Sequence, residues 1–277
     1  NFGEDHIVKI AKKVIGAAWL VHVLAFIYIP ILLLAVYSFT DAVMVGGAID
    51  GFSLHNYVTL FENEELRDMI IGTVLLALGT ALIATVLGTV GAIGAFYSKR
   101  TAKRLIGYAN QIPVVNADVV TGFSICVLLI VLLGIKKETF VPLVAGHVVL
   151  CSPFVYLSVL PRLRQMDNNL YEAALDLGAT PAQALFKVVL PQLLPGILSG
   201  FMLAVTLSLD DYFITTYTKP STFDTISTYV VNATKGGQTD IKTALWALST
   251  IIFLIVVVVV VLMNVFSGKK KAAEERI

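Results

Sequence analysis

Asn169-Leu-Tyr-Glu-Ala-Ala-Leu-Asp-Leu-Gly-Ala-Thr-Pro181 lies in the longest polar connection of an otherwise apolar chain. The stretch reads as a short helix, a sharp turn and the start of a second helix. Asn168 or Asn169 suits the N-cap, and Glu172 falls in the first turn of a helix over 171–177, where the macrodipole favours an acid. Gly178 suits the left-handed residue that ends a helix. Thr180 then caps a second helix with Pro181 at its first position. That helix is expected to run over 182–190, and Pro191 and Pro195 are expected to break it. Ala173 and Ala174 keep the first helix slim, so another protein surface can approach closely.

On either side of this connection the chain is built for lipid. Apolar residues make up 57% of the 277 and charged residues 14%, with a mean hydropathy of +0.84. Soluble domains run near 45–50% apolar and about 25% charged, so a soluble fold is excluded. A helix needs about 20 mainly apolar residues to cross a bilayer. Six runs qualify, at about 17–39, 69–97, 106–135, 141–160, 194–217 and 243–266. None alternates in the dyad pattern of a membrane barrel, so all are expected as helices. The expected fold class is an all-α membrane protein of six transmembrane helices, forming one transmembrane domain over 1–277. The first run is too long for a signal-peptide core, and no cleavable signal is expected.

Charge orients the spans. Lys9, Lys12, Lys13, Lys99, Arg100, Lys103, Arg104, Arg162, Arg164, Lys187, Lys269, Lys270, Lys271 and Arg276 fall on one side, which is fourteen of the 20 Lys and Arg. Arg67, Lys136, Lys137, Lys219, Lys235 and Lys242 fall on the other. Positive residues stay in the cytoplasm, so both termini and the 161–193 connection are expected there. Asp41, Asp50, Glu62, Glu64, Glu65 and Asp68 crowd the first external loop.

Glu172-Ala173-Ala174, three residues, Gly178 and then Leu190-Pro191 resemble the EAA loop of the binding-protein-dependent ABC importer permeases. The loop also stands in the right place, before the last two spans. The resemblance implies the type I ABC importer permease (MetI-like) fold. It also implies that the loop docks on a cytoplasmic ABC ATPase, present in two copies, whose closure around ATP rocks the spans between inward-open and outward-open states. Glu172, Ala173, Ala174 and Gly178 would form the coupling element, with Asp176, Leu177 and Ala179 flanking it. No Walker motif occurs in the chain, so the ATPase is expected on a separate polypeptide and the permease itself is not expected to be an enzyme.

Ionisable residues are few at membrane depth: Asp118, Asp210, Asp211, His22 and His147. A carboxylate there is costly and therefore a functional hypothesis. With no lysine or arginine well inside a span, the acidic interior suits a cationic passenger. Asp118 falls near the middle of the third run. Asp210 lies about 22 Å of helix rise beyond Pro195, in the outer third of the membrane. Neighbouring helical positions point about 100° apart. Asp210 and Asp211 therefore cannot both face one pore, and one of them is free to cap or pair with a neighbouring helix.

Leu207-Ser208-Leu209-Asp210-Asp211, Asp118-Val-Val-Thr-Gly122, Gly146-His147 and Pro153-Phe154-Val155 resemble segments of the spermidine/putrescine (PotC-type) permease subunits. That resemblance implies a polyamine pathway through Asp118, Ser208, Asp210, Asp211, Tyr212 and Tyr217. The aromatic faces, Phe213 among them, would offer cation–π contact. It further implies a second homologous permease, an extracytoplasmic polyamine-binding protein and a multi-pass place in the bacterial inner membrane. The competing readings are the same machine carrying ferric iron, a phosphonate or another small solute, and an ion-coupled secondary transporter built on paired half-helices, of which the sequence offers no clear pair.

Other signals carry less. Gly88, Gly91 and Gly94 read as close helix packing rather than a nucleotide loop. Cys126 and Cys151 read as small buried hydrophobes. His22 and His147 stand isolated, so no metal site is expected, nor any bound cofactor or nucleic-acid partner. Lys269–Lys271 read as a topological anchor with anionic lipid contact.

Overall fold

Long apolar runs without dyad alternation have only one way to satisfy their backbone in lipid, which is the helix. The computed structural model describes residues 2–42, 47–49, 51–167, 169–235, 243–254 and 257, and their one departure from helices and loops is a single antiparallel bridge, Thr40 with Phe52. Among the described residues four helices are long and apolar enough to cross a membrane, and a fifth span is counted if one sharply bent pair is taken together. The chain divides into two compact units, residues 1–67 with 233–277, and residues 68–232.

In the first unit α1 (Phe2–Ser38) carries exposed apolar side chains such as Trp19 and Phe26. Its C-terminal end is tied by polar groups. The buried Ser38 hydroxyl lies 2.9 Å from the Tyr57 hydroxyl of α2 (His55–Glu62) and accepts from Thr250 Oγ1 at 3.2 Å. Asn56 donates to the carbonyls of Ser38 and Thr40, and Tyr37 meets Trp246 edge-on. Of the sixth expected span, Thr243–Leu254 is a helix and residue 257 is helical, while the rest, together with Lys269–Lys271, lies outside the described residues.

The second unit is built on α3 (Glu64–Tyr97), α4 (Arg100–Val115), α5 (Asp118–Cys126, widening into a π turn over Val127–Leu132) and α6 (Val141–Gln165). After α7 (Asn169–Asp176), α8 (Pro181–Ala184) passes through a π turn at Leu185–Val189 into α9 (Leu190–Asp210). Two short helices, α10 (Phe213–Thr218) and α11 (Ile226–Lys235), complete the order. The core joins Ala81, Ala84, Ala92 and Ala95 of α3 to Cys151, Val155, Val159 and Leu163 of α6, and to Leu193 and Ala204 of α9. The small residues of α3 let backbones approach closely. At buried Gly88 a Cβ would stand 2.7 Å from the Ser152 carbonyl and 2.7 Å from Val155 Cβ. The close-packing reading fails at Gly94, where a Cβ would meet nothing within 4 Å. Alanine gains up to about 1 kcal/mol over glycine in helix propensity, whereas overpacking costs about 1–3 kcal/mol. Gly88→Ala will therefore lower the Tm of the purified protein and Gly94→Ala will not. Equal Tm values for the two would contradict this packing.

Three sequence expectations are corrected here. The third run is not one straight span: it bends by 106° between α4 and α5. Pro113 withholds a helical hydrogen bond near the end of α4, and Asn116 and Ala117 are extended. The fifth run ends as a helix at Asp210, and residues 213–218 start again as α10. Pro191 and Pro195 do not break the chain, because residues 181–210 run through as one helix. The π turn immediately before Pro191 accommodates that proline: Leu190 N–H bonds to Leu185 O, five residues back, and the wider turn shifts the carbonyl that its ring would otherwise strike.

Candidate functional site

The break between α9 and α10 is held by Asp211. Its carboxylate accepts from the backbone N–H of Ile214 (3.3 Å) and of Thr215 (2.7 Å) and from Thr215 Oγ1 (2.7 Å). These are orphan donors of a helix start, and an acid there satisfies them and meets the positive end of the dipole. Thr215 Oγ1 also lies 3.0 Å from His147 Nε2, and His147 Nδ1 lies 2.7 Å from Ser208 Oγ, which in turn lies 3.1 Å from Thr80 Oγ1. All five side chains are buried. Since Thr215 donates to Asp211, its oxygen accepts from His147 Nε2–H, and in the neutral ring Nδ1 is left to accept from Ser208. One relay of hydrogen bonds thus links α3, α6, α9 and α10. It is packed tightly: a Cβ on Gly146, beside His147, would stand 2.5 Å from Ile214 Cγ2.

Of the residues expected to face cargo, Asp211 and Ser208 are therefore committed to internal partners. Asp210 is exposed at the last position of α9, and Asp118 is exposed in the first turn of α5. Asp118 thus stands at the start of a broken helix rather than in mid-span. Tyr212 and Tyr217 are half-buried, the first edge-on to Phe213 at 5.3 Å and the second edge-on to Phe123 of α5 at 6.1 Å. Sequence reasoning missed the roles of Thr80, His147 and Thr215. The isolated intramembrane histidine was the available signal.

The polar connection folds as a turn between helices. Asp167 Oδ1 accepts from Asn169 N–H at 2.9 Å, while Asn168, the other cap considered, lies outside the described residues. Gly178 takes φ +85°, and its N–H and that of Ala179 close back onto the carbonyls of Leu175 and Ala174. Thr180 and Gln183 form a reciprocal capping box. Tyr171 leans on Tyr97 of α3 at 5.5 Å. Glu172, Ala173, Asp176, Leu177 and Gly178 are exposed, Leu177 to 90%, while Ala174 and Ala179 are half-buried.

At the opposite end of α6 two loops are joined by Glu138, which accepts from the hydroxyl (2.8 Å) and N–H (3.2 Å) of Ser221. Those two bonds hold its carboxyl below the usual range. Lys219 pairs with Asp224 at 2.8 Å.

Residues 89–271 match the family model described as the binding-protein-dependent transport system inner membrane component. The chain belongs to that family. The permease is 31% identical over 237 residues to the spermidine/putrescine transport system permease protein PotC of Haemophilus influenzae, covering 86% of this chain and 91% of that one. It is 31% identical over 254 residues to the putrescine transport system permease protein PotI of Escherichia coli K12, covering 86% and 87%. Among solved structures it resembles a chain of a bacterial ABC transporter involved in the import of the acidic polysaccharide alginate, with a TM-score of 0.59 at 16% identity over 90% of this chain and 95% of that one. This last likeness concerns the fold alone. The two helix breaks are of the sort invoked for a secondary transporter, but the family match sets that reading aside.

Proposed function

We propose that this permease is one of two homologous membrane subunits that import polyamines into the bacterial cytoplasm, driven by two copies of a separate ABC ATPase and supplied by an extracytoplasmic binding protein. Six spans would carry both termini inside, with the 161–193 connection facing the ATPase. The observation that carries the cargo reading is the pair of exposed carboxylates, Asp118 and Asp210, each at a break in an apolar helix. Irregular backbone at membrane depth is tolerated where it lines a cavity. Neither acid has an ion-pair partner among the described residues. At Asp210 the negative end of α9 adds to the side-chain charge and favours a cation. The names of the PotC and PotI relatives, spermidine/putrescine and putrescine, support the same class. Tyr212 and Tyr217 would offer ring faces, while Asp211 and Ser208 would shape the break without touching cargo.

Reconstituted with its partners in proteoliposomes, the permease is expected to take up labelled spermidine or putrescine on ATP. Asp118→Asn and Asp210→Asn should each cut uptake at sub-saturating substrate about tenfold, the loss of roughly 1.4 kcal/mol. Unchanged polyamine uptake in both variants would remove the cargo assignment and favour another small solute.

A further inference from the structure

A pocket of about 510 Å³ opens between the start of α4 and the end of α6, with Arg100, Lys103, Arg104, Tyr108, Gln111 and Arg164 on its walls. Four of these are cations, none of its lining residues is acidic, and none of the four has an ion-pair partner among the described residues. Positive charge gathered in a concavity without counter-charge is unfavourable unless an anion completes it. Lys99, at the N-cap of α4, makes no side-chain capping bond, so the first amides of the helix add their positive end to the same place. Lys103 is held by the Phe96 ring, 5.5 Å away.

The shape of the neighbouring surface specifies the anion. Leu157, Leu160 and Pro161 also line the pocket. On α4, Leu105, Ile112 and Val115 are exposed to 69%, 66% and 85% and form a row, at helical spacing with Tyr108, that leads from the charged first turns to the apolar last turn. A soluble phosphate has no use for that row, whereas an amphiphile does. Tyr108, 67% exposed, stands where the two surfaces meet, as aromatic rings do at a membrane interface. We infer that this pocket binds the phosphodiester headgroup of an anionic phospholipid, with the acyl chains laid along α4. The inference goes beyond the transport reading and uses from it only that α4 begins at the membrane surface.

The full-length permease in phosphatidylcholine nanodiscs containing a graded fraction of photoactivatable phosphatidylglycerol provides the test. Nanodiscs expose both leaflets, so binding is read whichever way the chain faces and whether or not the importer reading holds. Labelling is expected to concentrate on peptides containing 100–111 and 157–164. Each cation is worth about fivefold near a membrane surface. Arg100→Gln with Arg104→Gln and Arg164→Gln should therefore raise the half-saturating lipid fraction about a hundredfold. Lysine at the same three positions should largely preserve binding, and Lys136→Gln with Lys137→Gln should change nothing. Ten millimolar inorganic phosphate should not compete. Competition by phosphate as effective as by the lipid would replace the lipid with a soluble anion and overturn the proposal. So would labelling spread evenly around the spans, labelling unaltered in the triple glutamine variant, or exclusion of lipid by the ATPase in the assembled transporter.

Discussion

Leu177→Asp will uncouple the permease: uptake in proteoliposomes will fall by about ten- to a hundredfold while the Tm of the permease stays put. The expectation comes from exposure. Leu177 follows the last residue of α7 and shows 90% of its surface to solvent, although nothing in its surroundings requires an apolar side chain there. Full burial of a leucine is worth about 1.5–3 kcal/mol, or roughly ten- to more than a hundredfold in the affinity of whatever covers it. On the proposed reading that cover is the ATPase. Removing the side chain sacrifices no internal contact, so the folded permease is indifferent to the change. Gly178 holds the geometry behind Leu177. Its φ of +85° turns the chain between α7 and α8, while its surroundings leave room for a side chain. Its requirement is therefore one of backbone conformation rather than space. Pull-down of the ATPase by the Leu177→Asp permease, with Tm measured in parallel, decides the matter. Wild-type capture would show that the coupling surface lies elsewhere, and a large fall in Tm would show that Leu177 is structural.

The helix–turn–helix connection at 169–184 was legible because its signals are local. Thr180, Pro181 and Gly178 each set the conformation of their own neighbourhood, and the capping box and left-handed residue fall where those residues stand. Helices over the second and fourth apolar runs were legible for the same reason, since length and apolarity alone demand them. The breaks were not legible. Each lies inside a run whose average hydropathy says only "span". What interrupts it is a pair of residues, Asn116-Ala117 or Asp211-Tyr212, too short to register in a window sized for a bilayer. The π turn before Pro191 is a backbone compensation with no composition of its own. The buried relay was out of reach for another reason. Its members are brought together from positions 61 to 128 residues apart, so no spacing links Thr80 and His147 to the acid at 211. Helical spacing already said that the two adjacent aspartates could not share one role, but not which of them would cap a helix. They divide into an exposed Asp210 and a buried Asp211 because the helix ends between them.

That division yields the second large effect. Asp211→Ala will destabilise the permease by about 3–5 kcal/mol, while Asp210→Ala will change its stability by no more than about 0.5 kcal/mol. The Asp211 carboxylate receives two backbone N–H groups and one hydroxyl in a buried setting. Each donor left unpaired costs about 1–3 kcal/mol, and the effect is not confined to α10. Once Thr215 loses its acceptor, the orientation that lets it accept from His147 is no longer fixed, and the relay through Ser208 to Thr80 loses its polarity. Asp210 carries the same charge one position earlier, yet it has no described partner to lose. Asn at 211 keeps one acceptor oxygen and should recover part of the stability. Thr215→Val, which removes the hydroxyl but leaves the backbone bonds to Asp211, should cost less than Asp211→Ala. Thermal unfolding in detergent, followed for the four variants, tests the ordering Asp211→Ala, then Asp211→Asn and Thr215→Val, then Asp210→Ala. Should the two aspartate-to-alanine variants unfold together, Asp211 would not be the cap that starts α10. Any loss of transport in Asp211 variants would then have to come from the cargo path rather than from the joint that shapes it.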